Sequence, residues 1–213
     1  MFTRRFFGYT VSMDKHIHQP NFKSLLETEH NSRQEHISLF IIYFFTASIS
    51  GFLWEILLFF IKEGHFRNRG FLYGPWLPVY GTGAVLMYLL FSKLEHRPIK
   101  AFLSSLLIGT SLELMIGWML DHFWELRYWD YSGSFLNLHG YICLISALGI
   151  GIAGALWICL FSGLLKKFWF HIPVKIRHAI TNILILLFIW DCAAALIFPN
   201  TGRGITFPAL SLY

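Results

Sequence analysis

Three carboxylic acids stand inside long apolar runs of this chain: Glu55, Glu113 and Asp191. A charged side chain near the middle of a bilayer costs about 2.5–3.5 kcal/mol on insertion scales, so such a residue turns toward a partner or a wet cavity. Arg69 follows Glu55 by 14 residues, and Arg127 follows Glu113 by the same 14. If the connecting loops fold back, these arginines are natural counter-charges. The acids are open to three chemistries: structural pairing that locks helices together, a site for a cation or proton, and acid–base catalysis by paired carboxylates.

The spacing extends beyond the acids. Gly51 and Glu55 recur as Gly109 and Glu113 at an offset of 58. The same offset pairs Glu63 with Asp121, Arg69 with Arg127 and Tyr73 with Tyr131, and one inserted residue then pairs Gly81 with Gly140. Acid, acid, base and tyrosine keep their order. The pattern predicts two parallel repeats related by an axis along the membrane normal, an arrangement in which sites form where repeats meet.

Weaker signals surround this core. His65, His122 and His139 accompany Glu63 and Asp121, but no His-Glu-x-x-His spacing supports a metal site. Asp130-Tyr131-Ser132 sets a hydroxyl beside a carboxylate without a third member. Gly149-x-Gly151-x-x-Gly154 has the form of a dinucleotide fingerprint, yet it lies within an apolar run, where close helix packing is the better explanation. Cys143, Cys159 and Cys192 lack ligand spacing and read as small buried side chains. No catalytic residue, metal or cofactor is assigned.

The elements that must hold these residues are membrane helices. Of 213 residues, 55% are hydrophobic and only 14% charged, too few charges for the surface of a soluble domain. Five runs approach the roughly 20 apolar residues that span hydrocarbon: about Ser38 to Ile61, Leu77 to Phe91, Ala101 to Phe123, Tyr141 to Leu165 and Ala179 to Phe198. The second is short, and Pro75 and Pro78 at its mouth predict a broken or re-entrant approach. Counting about 1.5 Å per residue from the amino-terminal side, Glu55 lies about 25 Å along its span and Glu113 and Asp191 about 20 Å. Trp76, Trp124, Tyr128, Trp129 and Trp169 fall near span ends and are expected as interfacial anchors.

Lys and Arg number 12 on the side of the amino terminus and 5 on the other. This bias predicts a cytoplasmic amino terminus and an extracytoplasmic carboxyl terminus in the cell membrane. Residues 1–36 read as a polar cytoplasmic tail, a mobile stretch or surface helix, without the apolar core of a signal peptide. Residues 37–200 read as the transmembrane domain, with repeats at 38–92 and 101–165, and 201–213 as a short outer tail. Net charge +5 flanks the spans instead of forming a basic stripe, so no nucleic-acid partner is expected.

Trp54-Glu55, the stretch Arg69 to Pro75, Pro78, Tyr80, Gly81, Gly83, Leu112-Glu113, Arg127 to Ser132, Asn137, Gly140, Ile142 and Ser146 together resemble the putative ABC-transporter type IV family (CmpB-like), over about Gly51 to Gly151. Asp121 stands where the family often has glutamate, and His139 replaces a small or polar residue. The resemblance implies a transporter permease component. The sequence has no Walker A motif, so an ATPase would be a separate subunit. A chain this small is expected to oligomerise to enclose a pathway.

The reading that follows is an all-α polytopic bundle of about five spans. It carries an outward-facing polar site of Glu55, Arg69, Tyr73, Glu113, Arg127, Asp130 and Asn137, with the glutamates for a cation or proton and the arginines for an anionic headgroup or counter-charge. An intramembrane enzyme acting on a lipid or envelope precursor, and a non-catalytic scaffold, are the alternatives.

Overall fold

The computed structural model describes residues 22–64 and 70–198, with side chains for 33–58, 60, 61, 64 and 70–198. Arg69 and His65 lie outside the described residues, as do most of the amino-terminal tail and the tail after Phe198. The chain divides into two compact units, Met1–His36 and Ile37–Tyr213. In the first, only the opening turns of a helix from Phe22 are described.

Among the described residues six helices follow in order: α1 (Phe22–Glu63), α2 (Pro78–Phe91), α3 (Pro98–Trp124), α4 (Leu144–Leu156), α5 (Ser162–His171) and α6 (Val174–Ile197). A π-helical turn, Trp157–Phe161, joins α4 to α5 in one 28-residue rod. Among the described residues four helices are long and apolar enough to cross a membrane: Arg33–Leu58 within α1, Pro98–Trp124, Leu144–His171 and Val174–Ile197. The protein is an all-helical, multi-pass membrane protein.

Proline sets where the helices begin. Pro78 opens α2 and Pro98 opens α3, each at a position that needs no N–H donor. The residue before a proline avoids helical backbone, and Leu77 accordingly sits extended at φ −111° and ψ 100°. The end of α3 is turned by Glu125, left-handed at φ 53°. Its N–H donates to the Asp121 carbonyl (3.1 Å), and the Leu126 N–H reaches the Leu120 carbonyl (3.2 Å), so the exposed last carbonyls are capped.

The second expected span departs from the rest. Helix α2 has 14 residues, about 21 Å at helical rise, against about 30 Å of hydrocarbon. Residues 70–77 before it are irregular. The Leu77 N–H donates to the Ser48 carbonyl at 3.1 Å, midway along α1. The chain therefore re-enters alongside α1, about 15 Å below Leu58 by helical rise, before α2 begins. Irregular backbone at that depth persists only when protein satisfies its polar groups, and Asp191 does so here, as set out below.

Two aromatic clusters anchor the bundle. Trp76 packs edge-on against Phe45 (5.8 Å between centroids) and Phe188 (6.0 Å), joining the re-entrant segment to α1 and α6. Tyr43, fully buried, packs edge-on against Trp157 (5.2 Å) and donates to the Ser162 carbonyl at 2.7 Å, so α1 grips the rod at its π turn. The tryptophans thus separate by role. Trp124 is exposed, as an anchor should be, whereas Trp76 and Trp169 are buried in these clusters. Sequence position near a span end could not distinguish them, because the re-entrant fold carries Trp76 inward.

Glycines explain the close approach of the helices. A Cβ on Gly81 of α2 would run into the Ser48 hydroxyl of α1, and one on Gly154 of α4 into Ser105 of α3. Gly151 likewise faces Phe102 and Leu106, so two of the three glycines in the Gly149–Gly154 run serve helix packing. Gly149 faces open space.

Candidate functional site

Each intramembrane glutamate meets a tyrosine. The Tyr80 hydroxyl donates to Glu55 Oε1 at 2.9 Å, and the Tyr131 hydroxyl donates to Glu113 Oε1 at 3.2 Å. Ser146 Oγ lies 3.1 Å from the other carboxylate oxygen, Glu113 Oε2. Helix starts bring these groups in. Tyr80 is the third residue of α2 and Ser146 the third residue of α4, so each short helix presents its first turn to a glutamate on the preceding long one.

The recurring glycines make room one turn away. Gly51 lies four residues before Glu55, and a Cβ there would strike the Tyr80 ring. Gly109 lies four residues before Glu113, and a Cβ there would strike Ile150 of α4. A residue four positions along a helix shares its face. The Gly-x-x-x-Glu spacing therefore lets the partner helix approach and then meets its polar group.

The two halves touch electrostatically. Tyr80 feels Glu113 and Tyr131 as well as its own Glu55, and Tyr131 feels Glu55 as well as its own Glu113. In the loop, burial first and then these carboxylates hold the Tyr131 hydroxyl well above the usual phenol range, so it remains a donor. Glu55, Tyr80, Tyr131, Glu113 and Ser146 form one polar cluster at one end of the bundle.

Ser146 also belongs to the start of α4. The Ser146 N–H donates to Cys143 Sγ (3.4 Å) and the Cys143 N–H to Ser146 Oγ (3.1 Å), a capping box with sulfur in the place of the usual oxygen. Ser146 Oγ is within 3.0 Å of the Cys143 carbonyl too. One hydroxyl hydrogen thus has two acceptors, Cys143 O and Glu113 Oε2. If Glu113 carries a proton it donates to Ser146, and the serine hydrogen is free for the carbonyl.

The remaining expected residues divide among other tasks. Arg127 leaves Glu113 alone. Its Nε and Nη2 donate to Asp121 Oδ2 at 2.9 and 2.8 Å, its Nη1 lies 3.5 Å from Asp130, and it stacks over the Tyr141 ring at 5.0 Å. The physical reason is local: the left-handed cap at Glu125 turns the chain straight back onto the last turn of α3, where Asp121 waits. Tyr141 adds a 2.7 Å bond to the same oxygen. Asp130 accepts from the N–H (2.9 Å) and hydroxyl of Ser132, which hold its carboxyl below the usual carboxylate range. Asn137 donates to the carbonyls of Ser132 (3.1 Å) and Ser134 (2.9 Å) and accepts from the Gly140 N–H (3.3 Å). These three residues shape the 125–143 loop.

Tyr73 does not mirror Tyr131. Its hydroxyl donates to the Phe198 carbonyl at 2.6 Å, and its N–H donates to Asp191 Oδ1 at 3.0 Å. Asp191 also accepts from the Gly74 N–H (2.9 Å) and the Trp76 indole (2.6 Å). The third intramembrane acid is thus the clamp of the re-entrant segment. The tyrosine that does in the first half what Tyr131 does in the second is Tyr80, which a fixed offset of 58 does not reach because the two loops differ in length. Tyr80 and Ser146 both stand among the family-like motif residues, and that was the sequence signal for them.

A family model described as Putative ABC-transporter type IV matches residues 42–196. That range holds the whole cluster. No curated protein and no solved structure matches the chain.

Proposed function

The chain belongs to the putative ABC-transporter type IV family, and from that premise we propose that it is a permease-like component whose Glu55–Glu113 cluster receives a proton or a cationic group. Family and apolar helices together make it a membrane transporter component. One observation carries the finer reading: two carboxylates from separate helix pairs are each held by a tyrosine hydroxyl, and each tyrosine stands within electrostatic reach of the other pair's glutamate. An ionised acid within an apolar span is costly, so a proton or a cationic group at either glutamate is stabilised. Among the described ion pairs none reaches Glu113, because Arg127 is taken by Asp121 and Asp130. Tyrosine and serine hydroxyls can hold either protonation state by reversing who donates, a property suited to loading and release.

The site faces the outer side in the orientation that the distribution of Lys and Arg favours. An ATPase would be contributed by a separate subunit, and a second copy of the chain would help to enclose the pathway.

A hydrophobic carbodiimide, which reacts with protonated carboxyls in lipid, tests the reading on the full chain in vesicles. Modification of Glu113 or Glu55, read by peptide mass spectrometry, should rise as pH falls and be absent at the substituted position in Glu113→Gln or Glu55→Gln. Failure to modify either glutamate at any pH overturns the proposal, as does transport that survives the double substitution.

A further inference from the structure

The loop between α3 and α4 carries a feature unrelated to the glutamate cluster. At its tip Phe135 and Leu136 are 71% and 66% exposed, and Leu138 is 45% exposed. The tip is well ordered internally: Tyr131 N–H to Gly140 O (2.8 Å), Leu138 N–H to Ile142 O (2.9 Å) and the Asn137 bonds close it into a compact hairpin-like turn. Leu136 even adopts φ +50°, a left-handed backbone that leucine rarely takes. A fold that bends the chain this way only to place large apolar side chains in water would gain nothing.

Position supplies the partner. The Leu144 N–H donates to the Phe135 carbonyl at 3.4 Å, so the tip sits at the first residue of α4, a membrane-crossing helix. The next residue of that helix, Ile145, is 73% exposed, as a lipid-facing residue of a membrane-crossing helix is. From Tyr131 to Cys143 the chain contains no Asp, Glu, Lys or Arg. At the same end of the bundle, Phe123 and Trp124 of α3 are exposed, as aromatics at a headgroup boundary are. We propose that the Phe135–Leu136 tip docks into the lipid leaflet beside α4, as an interfacial anchor that fixes the depth of the 125–143 loop. The apolar surface is continuous with the lipid-facing surface of α4, and its lack of charge fits shallow insertion.

Spin labelling tests this on the full chain in lipid vesicles. Phe135→Cys is placed in a Cys159→Ala, Cys192→Ala background, with Cys143 left in place because it is 4% exposed. Ile145→Cys in the same background gives the lipid reference. Collisions of the nitroxide at position 135 with oxygen should exceed those with a water-soluble nickel chelate several-fold, as at position 145. Nickel collisions in excess would place the tip in water and overturn the proposal. Exclusion of both agents would mean that a protein, whether a second copy or another subunit, covers the tip, and would overturn it equally. Phe135 lies outside the glutamate cluster, so none of these outcomes depends on the transport reading.

Discussion

The Trp76 indole donates to Asp191 Oδ2 at 2.6 Å, tying the re-entrant segment before α2 to the last span. Asp191 takes two further donors from the backbone of Tyr73 and Gly74, so a single buried carboxylate replaces the helical partners that this irregular stretch lacks. Asp191→Ala leaves three donors without their acceptor and should cost about 3 kcal/mol or more, at about 1–3 kcal/mol for each unsatisfied group, and Trp76→Phe about 1–3 kcal/mol. Melting of the purified protein in detergent checks the order. Equal melting of Asp191→Ala and the native chain would remove this role.

The glycine one turn before Glu55 is a tight point in the site. Gly51→Ala would drive its Cβ into the Tyr80 ring, displacing the hydroxyl from Glu55, with an expected cost of about 1–3 kcal/mol for overpacking. Gly149→Ala meets open space and should be neutral or slightly stabilising because alanine favours the helix. Thermal melts of the two variants, side by side, measure the difference.

Arg127 should couple to Asp121 and not to Glu113. A double-mutant cycle of Arg127→Ala with Asp121→Asn should show an interaction of about 0.5–1 kcal/mol, the modest value of a partly exposed pair. The cycle with Glu113→Gln should be additive within about 0.5 kcal/mol. A larger coupling to Glu113 would reinstate the arginine as its counter-charge.

The order of the 125–143 loop should depend on acid pH. Hydrogen bonds from Ser132 hold the folded Asp130 carboxyl below its unfolded value, which is near 3.9 for a free aspartate. A depressed folded pKa means that the contribution is present above about pH 4 and is lost as pH falls through the folded value. Exchange of the Ser132 amide, followed by mass spectrometry, should therefore accelerate in strong acid once the intrinsic rate is divided out. Asp130→Asn should abolish that pH dependence.

Gly140 is fixed twice over. Its φ is +75°, and a Cβ would stand 2.5 Å from Asp130 Oδ1 and 2.7 Å from Ser132 Oγ. Gly140→Ala should cost about 2–4 kcal/mol, combining backbone strain and lost loop bonds. Gly133→Ala, with nothing near it, should cost well under 1 kcal/mol. Detergent melting of the two variants distinguishes them.

Sequence alone determined the solvent and the class of this protein. Apolar runs as long as a bilayer is thick admit helices and little else, and the paired prolines at 75 and 78 already announced an irregular approach to the second helix. It also singled out Glu55 and Glu113, since an acid within such a run must find a partner. The partners belonged to the tertiary structure. Arg127 was the expected counter-charge of Glu113, 14 residues away, but a left-handed cap at Glu125 delivered it to Asp121. Tyr80 and Ser146 reached the glutamates because α2 and α4 begin beside them, 25 and 33 residues away in the chain. Asp191, the third acid within an apolar run, went instead to the re-entrant segment, which gives it three donors. Periodicity reports which residues share a helix face; which helix start or loop arrives opposite that face is set by loop length and caps, and only folding in three dimensions decides it.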